Sequence, residues 1–110
     1  MREERICLLH IVECIERIEH YTRSGRRSFM HNTKTQDAVL RNLQVMAEST
    51  QRLSDELRET QPQIAWSQIA GFRNVLVHDY LGINLERVWQ TVERDLPELK
   101  QAVTTMLEYK

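Results

Sequence analysis

The chain has 110 residues, of which 41% are hydrophobic and 28% charged, with only 3 glycines and 2 prolines. That length fits a single domain over residues 1–110, and so few turn-forming residues favour helices over a sheet. With 15 Lys and Arg against 16 Asp and Glu, the formal net charge is −1, so no global positive field marks a nucleic-acid binder and any RNA contact must rest on a local basic patch.

Two cysteines, Cys7 and Cys14, fall seven residues apart on an expected helix, about two turns or ~10 Å along its axis. That is too far for a disulfide within the chain, and both read as small core residues. His10, His20, His31 and His78 lack metal-ligand spacing and no Cys-x-x-Cys pair occurs, so neither metal nor cofactor is expected. The opening Met1-Arg2-Glu3-Glu4-Arg5 lacks the apolar region of a signal peptide, and no apolar run reaches membrane-spanning length. The expectation is a cytoplasmic protein with reduced thiols and no membrane contact.

In chain order, Leu8, Ile11, Ile15 and Ile18 recur at steps of three, four and three, which predicts an amphipathic helix from about Arg2 to Tyr21. Gly25 is a plausible stop. The linker Arg23-Ser24-Gly25-Arg26-Arg27 is the densest positive cluster; Arg23, Arg26 and Arg27 read first as a solvated loop and second as candidate RNA contacts. Thr33-Lys34-Thr35-Gln36 has the form of a capping box, predicting a second helix from about Gln36 to Leu57 with the stripe Val39, Leu43, Met46, Thr50, Leu53 and Leu57. Glu48, close to that stripe, reads as a solvated or helix-paired glutamate.

Pro62 marks the approach to a third helix carrying Trp66, Ile69, Phe72 and Leu76 and ending near His78, with a break at Gly82. Asn84 can cap a fourth helix bearing Leu85, Val88, Val92, Leu96, Leu99, Val103 and Met106. Pro97 interrupts it, either as a kink or as the first turn of a new helix with Asp95 as N-cap. Trp66 and Trp89 read as core or dimer anchors. The fold class is all-α, an antiparallel bundle of four to five helices around one core.

The stretch Gly71 to Tyr80 concentrates the chemistry: Arg73, Asn74, His78, Asp79 and Tyr80 surround the apolar run Val75-Leu76-Val77, which is expected to be buried. An arginine presents a planar fork of donors to a phosphate, and a histidine moves a proton near neutral pH. Together they suffice to cut a phosphodiester without a metal. On a helix, Arg73 and Tyr80 are nearly two turns apart and share a face, whereas His78 lies roughly 140° around from Arg73. The two converge if the helix ends near His78 or if two copies of the chain share a site.

Arg73-x4-His78-x-Tyr80 resembles the signature of the HEPN superfamily, in particular the HepT toxins. The similarity extends over Leu9-His10-Ile11, Ile18-Glu19-x-Tyr21, Asp37-Ala38-Val39, Glu48, Ile64-x-Trp66-x-x-Ile69-x-Gly71-x-Arg73-Asn74, Val88-Trp89 and Asp95-Leu96-Pro97-x-Leu99. One departure is Ala47, where the family usually has glycine before the glutamate. The resemblance implies a homodimeric helical bundle and the toxin of a type VII toxin–antitoxin system. It implies a metal-independent endoribonuclease in which Arg73 grips the scissile phosphate and His78 is general base or acid, leaving a 2′,3′-cyclic phosphate. Asn74 and Asp79 would support the site. It further implies a partner, an MntA-like minimal nucleotidyltransferase antitoxin, which transfers AMP to Tyr80. The alternative reading is a non-catalytic subunit that presents RNA or a nucleotide to such an enzyme.

Overall fold

The first segment forms α1, Arg2–Tyr21, as its spacing predicts, in a computed structural model that describes residues 2–108; Met1, Tyr109 and Lys110 of the expected domain lie outside the described residues. Leu8, Ile11, Ile15 and Ile18 are fully buried, with Cys14 beside them, and each such aliphatic side chain contributes about 1.5–3 kcal/mol by leaving water. Both cysteines are free thiols. The chain turns after α1 at Gly25, whose φ of 93° lies in the left-handed region that a side chain would strain.

The expected arginine-rich linker is in fact partly helical. Arg26 and Arg27 open a short helix, α2, Arg26–His31, because Phe29 can reach the core from it. Asn32 then caps α3, Thr33–Gln51, by accepting a hydrogen bond from the Thr35 amide. The capping box expected on Thr33 is therefore displaced one residue upstream, to a better acceptor. The helix also stops before the expected Leu57: Leu53 is buried in a turn, and Ser54 caps a separate short α4, Asp55–Glu59. Trp66 fixes the connection that follows, its indole N–H donating to the Arg58 and Gln61 carbonyls at 3.0 and 3.2 Å.

The third long helix, α5, spans Trp66–His78, followed by a 3-10 turn at Tyr80–Gly82. Asn84 caps α6, Leu85–Gln90, accepting from the amides of Glu86 and Arg87, as expected. Between α6 and α7, Leu96–Glu108, the rod continues through a π-helical turn at Thr91–Asp95. Pro97 has no N–H to return to the preceding turn, and the Leu96 amide reaches back to the Thr91 carbonyl instead. Pro97 thus sits in the first turn of α7 without breaking the rod. Asp95 belongs to the π turn rather than acting as a cap.

Among the described residues every regular element is helical, giving four rods (α1, α3, α5 and the α6–α7 run) with two short helices between them. α1 packs against α3 and α7, α3 packs against α5, and α2 bridges α3 and α6. Trp89 is buried against Phe29, ring centroids 5.5 Å apart, so this tryptophan is a core anchor. Lys100 ties α7 to α1 through Glu19 at 2.9 Å. No described helix is long and apolar enough to cross a membrane.

Candidate active site

α5 packs chiefly on α3, and its residues divide accordingly. Leu76 is buried, while Trp66, Ile69 and Phe72 are partly buried against the core. The expectation that Val75-Leu76-Val77 is buried as a run is wrong: Val75 and Val77 remain 41% and 37% exposed, and Leu81 just beyond is fully exposed. Three consecutive helical residues span some 200° of arc, so a single neighbouring helix covers only the middle one.

Arg73 points toward α3. Its Nη2 donates to Glu48 Oε2 at 3.1 Å and its Nη1 to Asn74 Oδ1 at 3.3 Å. Its Nε is buried without a hydrogen-bond partner among the described residues. Glu48 is therefore neither a plainly solvated residue nor paired along its own helix. It pairs across helices with the motif arginine and holds one edge of the guanidinium, leaving donors of the five-donor fork for an anion.

His78 is the last residue of α5 and exposed. The helix ends there, one of the two ways in which the motif's groups could converge. Asp79 sits at the junction, its amide donating to the Val75 carbonyl at 2.9 Å and its carbonyl accepting from the Gly82 amide at 3.0 Å. The Asp79 carboxylate lies over Gly82 so closely that a Cβ there would come within 2.7 Å of it. An added Cβ at 82 would make the Asp79 carboxylate move aside.

Tyr80, outside the helix, also reaches α3: its hydroxyl donates to Asp37 Oδ1 at 3.1 Å. This hydrogen bond, more than any burial, raises the phenol pKa above its ordinary value, because Asp37 stabilises the protonated form. Arg73 and Tyr80 thus face the same helix, as the spacing suggests, yet their anchors are eleven residues apart on it, about 16 Å of axial rise. The motif spreads along α3 with Arg73 at one station and Tyr80 at another.

The arginine cluster is spent in part on structure. Arg26 pairs with Glu86 of α6, and Arg23 lies against the ring of His20. Arg27 is exposed on α2, which adjoins the first turns of α3 through Gln36, whose amide donates to the Phe29 and Met30 carbonyls. Among the described residues no group of three or more His, Cys, Asp and Glu side chains is placed to hold a metal ion.

A family model described as HepT-like ribonuclease matches residues 11–106. The chain belongs to the HepT-like ribonuclease family. Its curated relatives agree. A Thermococcus cleftensis protein assigned as ribonuclease HepT is 35% identical over 100 residues, covering 90% of this chain and 91% of the relative. A Caldanaerobacter subterraneus protein assigned as an RNase is 32% identical over 109 residues, covering 98% and 97%. A Methanocaldococcus jannaschii protein, assigned as gamma-glutamylcyclotransferase and RNase, is 34% identical over 108 residues; this HepT-like chain spans 49% of its length. No solved structure matches at a significant level.

Two residues that contact the motif, both within the stretches that resemble the family, have contacts that motif spacing does not reveal. Asp37 and Glu48 lie 43 and 25 residues from their partners Tyr80 and Arg73. The usable signal was Glu48 beside an apolar stripe, where a carboxylate can reach a cation on the next helix.

Proposed function

We propose that the chain is a metal-independent endoribonuclease toxin that works as a homodimer, forming one domain over residues 1–110. Arg73 would bind and neutralise the scissile phosphate, and His78 would take the ribose 2′-hydroxyl proton or protonate the leaving oxygen. The carrying observation is Arg73 itself: its guanidinium is fixed on one edge by Glu48 and Asn74, five residues before an exposed histidine at a helix end. A pre-set cation and a solvent-facing general acid–base, brought to one phosphate, are what in-line attack by a 2′-hydroxyl needs. The product would be a 2′,3′-cyclic phosphate. Asn74 and Asp79 support the arrangement, Asn74 through Arg73 and Asp79 by fixing the turn that carries Tyr80.

The dimer reading is supported by the outer side of α5. A groove of about 450 Å³ runs between α5 and the π turn and α7, walled by Phe72, Val75, Leu96 and Leu99. Gly71 lines it, and a Cβ there would meet nothing within 4 Å. A mid-helix glycine costs about 1 kcal/mol relative to alanine, which is offset where a second helix approaches closely. Val75 and Leu81 would then be covered by the second copy, and two His78 residues would face a shared cleft. Neutralisation would come from an MntA-like nucleotidyltransferase that transfers AMP to Tyr80, which is half exposed. The added phosphodiester would place negative charge beside His78 and repel RNA. Arg23 and Arg27 would contribute weaker RNA contacts.

Purified protein incubated with structured RNA in EDTA tests this. Cleavage that disappears in both Arg73→Ala and His78→Ala, with helix content retained, is the expected result. RNA binding without cleavage in the wild type would instead favour a subunit that presents RNA to a partner enzyme.

A further inference from the structure

Tyr80 and Asp37 meet over a recess of about 200 Å³ that is lined, besides these two, by Leu40, Arg41, Gln44 and Leu76. Two features of this recess are unrelated to cutting RNA. The tyrosine hydroxyl is aimed by a carboxylate from a different helix, at 3.1 Å. And Arg41, one turn beyond Asp37 on α3, puts a cation on the same wall, since residues four apart on a helix are neighbours. An oxygen nucleophile hydrogen-bonded to a carboxylate, with an arginine alongside, is an arrangement for attack on a phosphorus atom.

We infer that Asp37 is the proton acceptor for modification of Tyr80, and that Arg41 receives the phosphodiester formed there. The inference rests on the reading of Tyr80 as the AMP acceptor and adds the residues of this chain that make it one. The co-substrate is a nucleoside triphosphate held by the partner nucleotidyltransferase. The Tyr80 phenolic oxygen attacks the α-phosphorus. The new O–P bond forms as the bond from that phosphorus to the bridging oxygen breaks, and pyrophosphate leaves with the electron pair. The phenol proton passes to Asp37 Oδ1 and on to solvent.

The same contact explains how the product holds its altered position. Once esterified, Tyr80 can no longer donate to Asp37, and its anionic phosphodiester is repelled by that carboxylate. The group must leave Asp37, and Arg41 on the adjacent turn is the nearest cation of the recess to take it. Asp37 thereby acts twice, first by accepting the proton and then by keeping the adduct away from its starting place.

The test uses the full-length chain with an MntA-type nucleotidyltransferase, magnesium and α-labelled ATP, following label on Tyr80 by mass spectrometry. Asp37→Asn keeps the shape and an acceptor oxygen but not the base. It should lower kcat for AMP transfer on the order of a hundredfold while leaving KM for ATP unchanged, and Asp37→Glu should restore part of the rate. Arg41→Gln, compared at equal Tyr80 modification, should weaken inhibition of RNA cleavage by the modified protein, and undiminished inhibition would overturn the assignment of Arg41. Circular dichroism confirms folding of each variant. Wild-type transfer to Tyr80 with Asp37→Asn equally fast overturns the assignment of Asp37 alone. Wild type that takes no label at Tyr80 overturns the underlying acceptor reading, and this assignment with it.

Discussion

α1 and α5 carry apolar residues at similar spacings, yet they end in opposite situations. α1 lies between α3 and α7 and buries Leu8, Ile11, Cys14, Ile15 and Ile18. α5 packs chiefly on α3 and buries only Leu76, with Val75 and Val77 left in solvent. One helix is a structural beam and the other a presenting surface. All the motif residues are on, or just after, the second. Core burial and the motif residues fall on different helices, and α3 joins them, giving its Val39, Leu43 and Met46 to the core and contacting the motif through Asp37 and Glu48.

Substitutions can break this contrast, the largest effect falling on the beam. Ile15→Ala should destabilise the fold by about 2–5 kcal/mol, the range for truncating a fully buried aliphatic residue, measured by urea denaturation. On the presenting surface, Val75→Asp should change the stability of an isolated chain by no more than about 0.5 kcal/mol. It should nevertheless convert a dimer into a monomer by light scattering and lower RNA cleavage in parallel. A variant that stays dimeric would show that the open side of α5 has another purpose.

Glu48→Gln sits at the joint between the two roles. Removing the carboxylate leaves Arg73 without its anchoring charge, and the pair is only partly buried, its side chains 29% and 37% exposed, so the stability cost should be at most about 1 kcal/mol. The expected readout is a roughly tenfold fall in kcat/KM for RNA cleavage, or about 1.4 kcal/mol of transition-state stabilisation. An effect on melting alone would make Glu48 purely structural.

The smallest effect concerns Tyr80. Its phenol pKa is raised by the hydrogen bond to Asp37, so the bond adds stability that is fully present below the ordinary tyrosine pKa and lost as pH rises through the raised one. Asp37→Asn should bring the Tyr80 titration, followed by NMR, back down toward the ordinary value, with little change in stability at neutral pH.

The parts of the molecule legible in the sequence are those set by local spacing. α1 follows from its three-four-three stripe, and the cap at Asn84 from a side chain that can satisfy its own helix. The Arg73, His78 and Tyr80 pattern was legible too, because it is contiguous. What spacing did not reveal depends on neighbours. α2 exists because Phe29 finds a pocket against Trp89, and α3 breaks at Arg52 because Leu53 is buried more easily from a turn. The exposure of Val75 follows from how many helices surround α5, a number its own residues do not encode. Asp37 and Glu48 gain their roles only when α5 is laid against α3.

The π turn at Thr91–Asp95 has a consequence for the rod that contains it. In an uninterrupted α-helix Leu96 would lie about 80° out of phase with Val88, eight residues at 100° each. Both are nevertheless buried, and the wider i to i+5 turn absorbs the excess. The turn is thus a phase corrector inserted above Pro97, letting one continuous rod keep Val88 and Leu96 on a common inward side. Deleting one residue between Thr91 and Asp95 would leave plain α-helix, with Val88 and Leu96 seven residues apart and still in phase. Inserting one would instead swing Leu99, Val103 and Met106 around the axis together and detach α7 from α1.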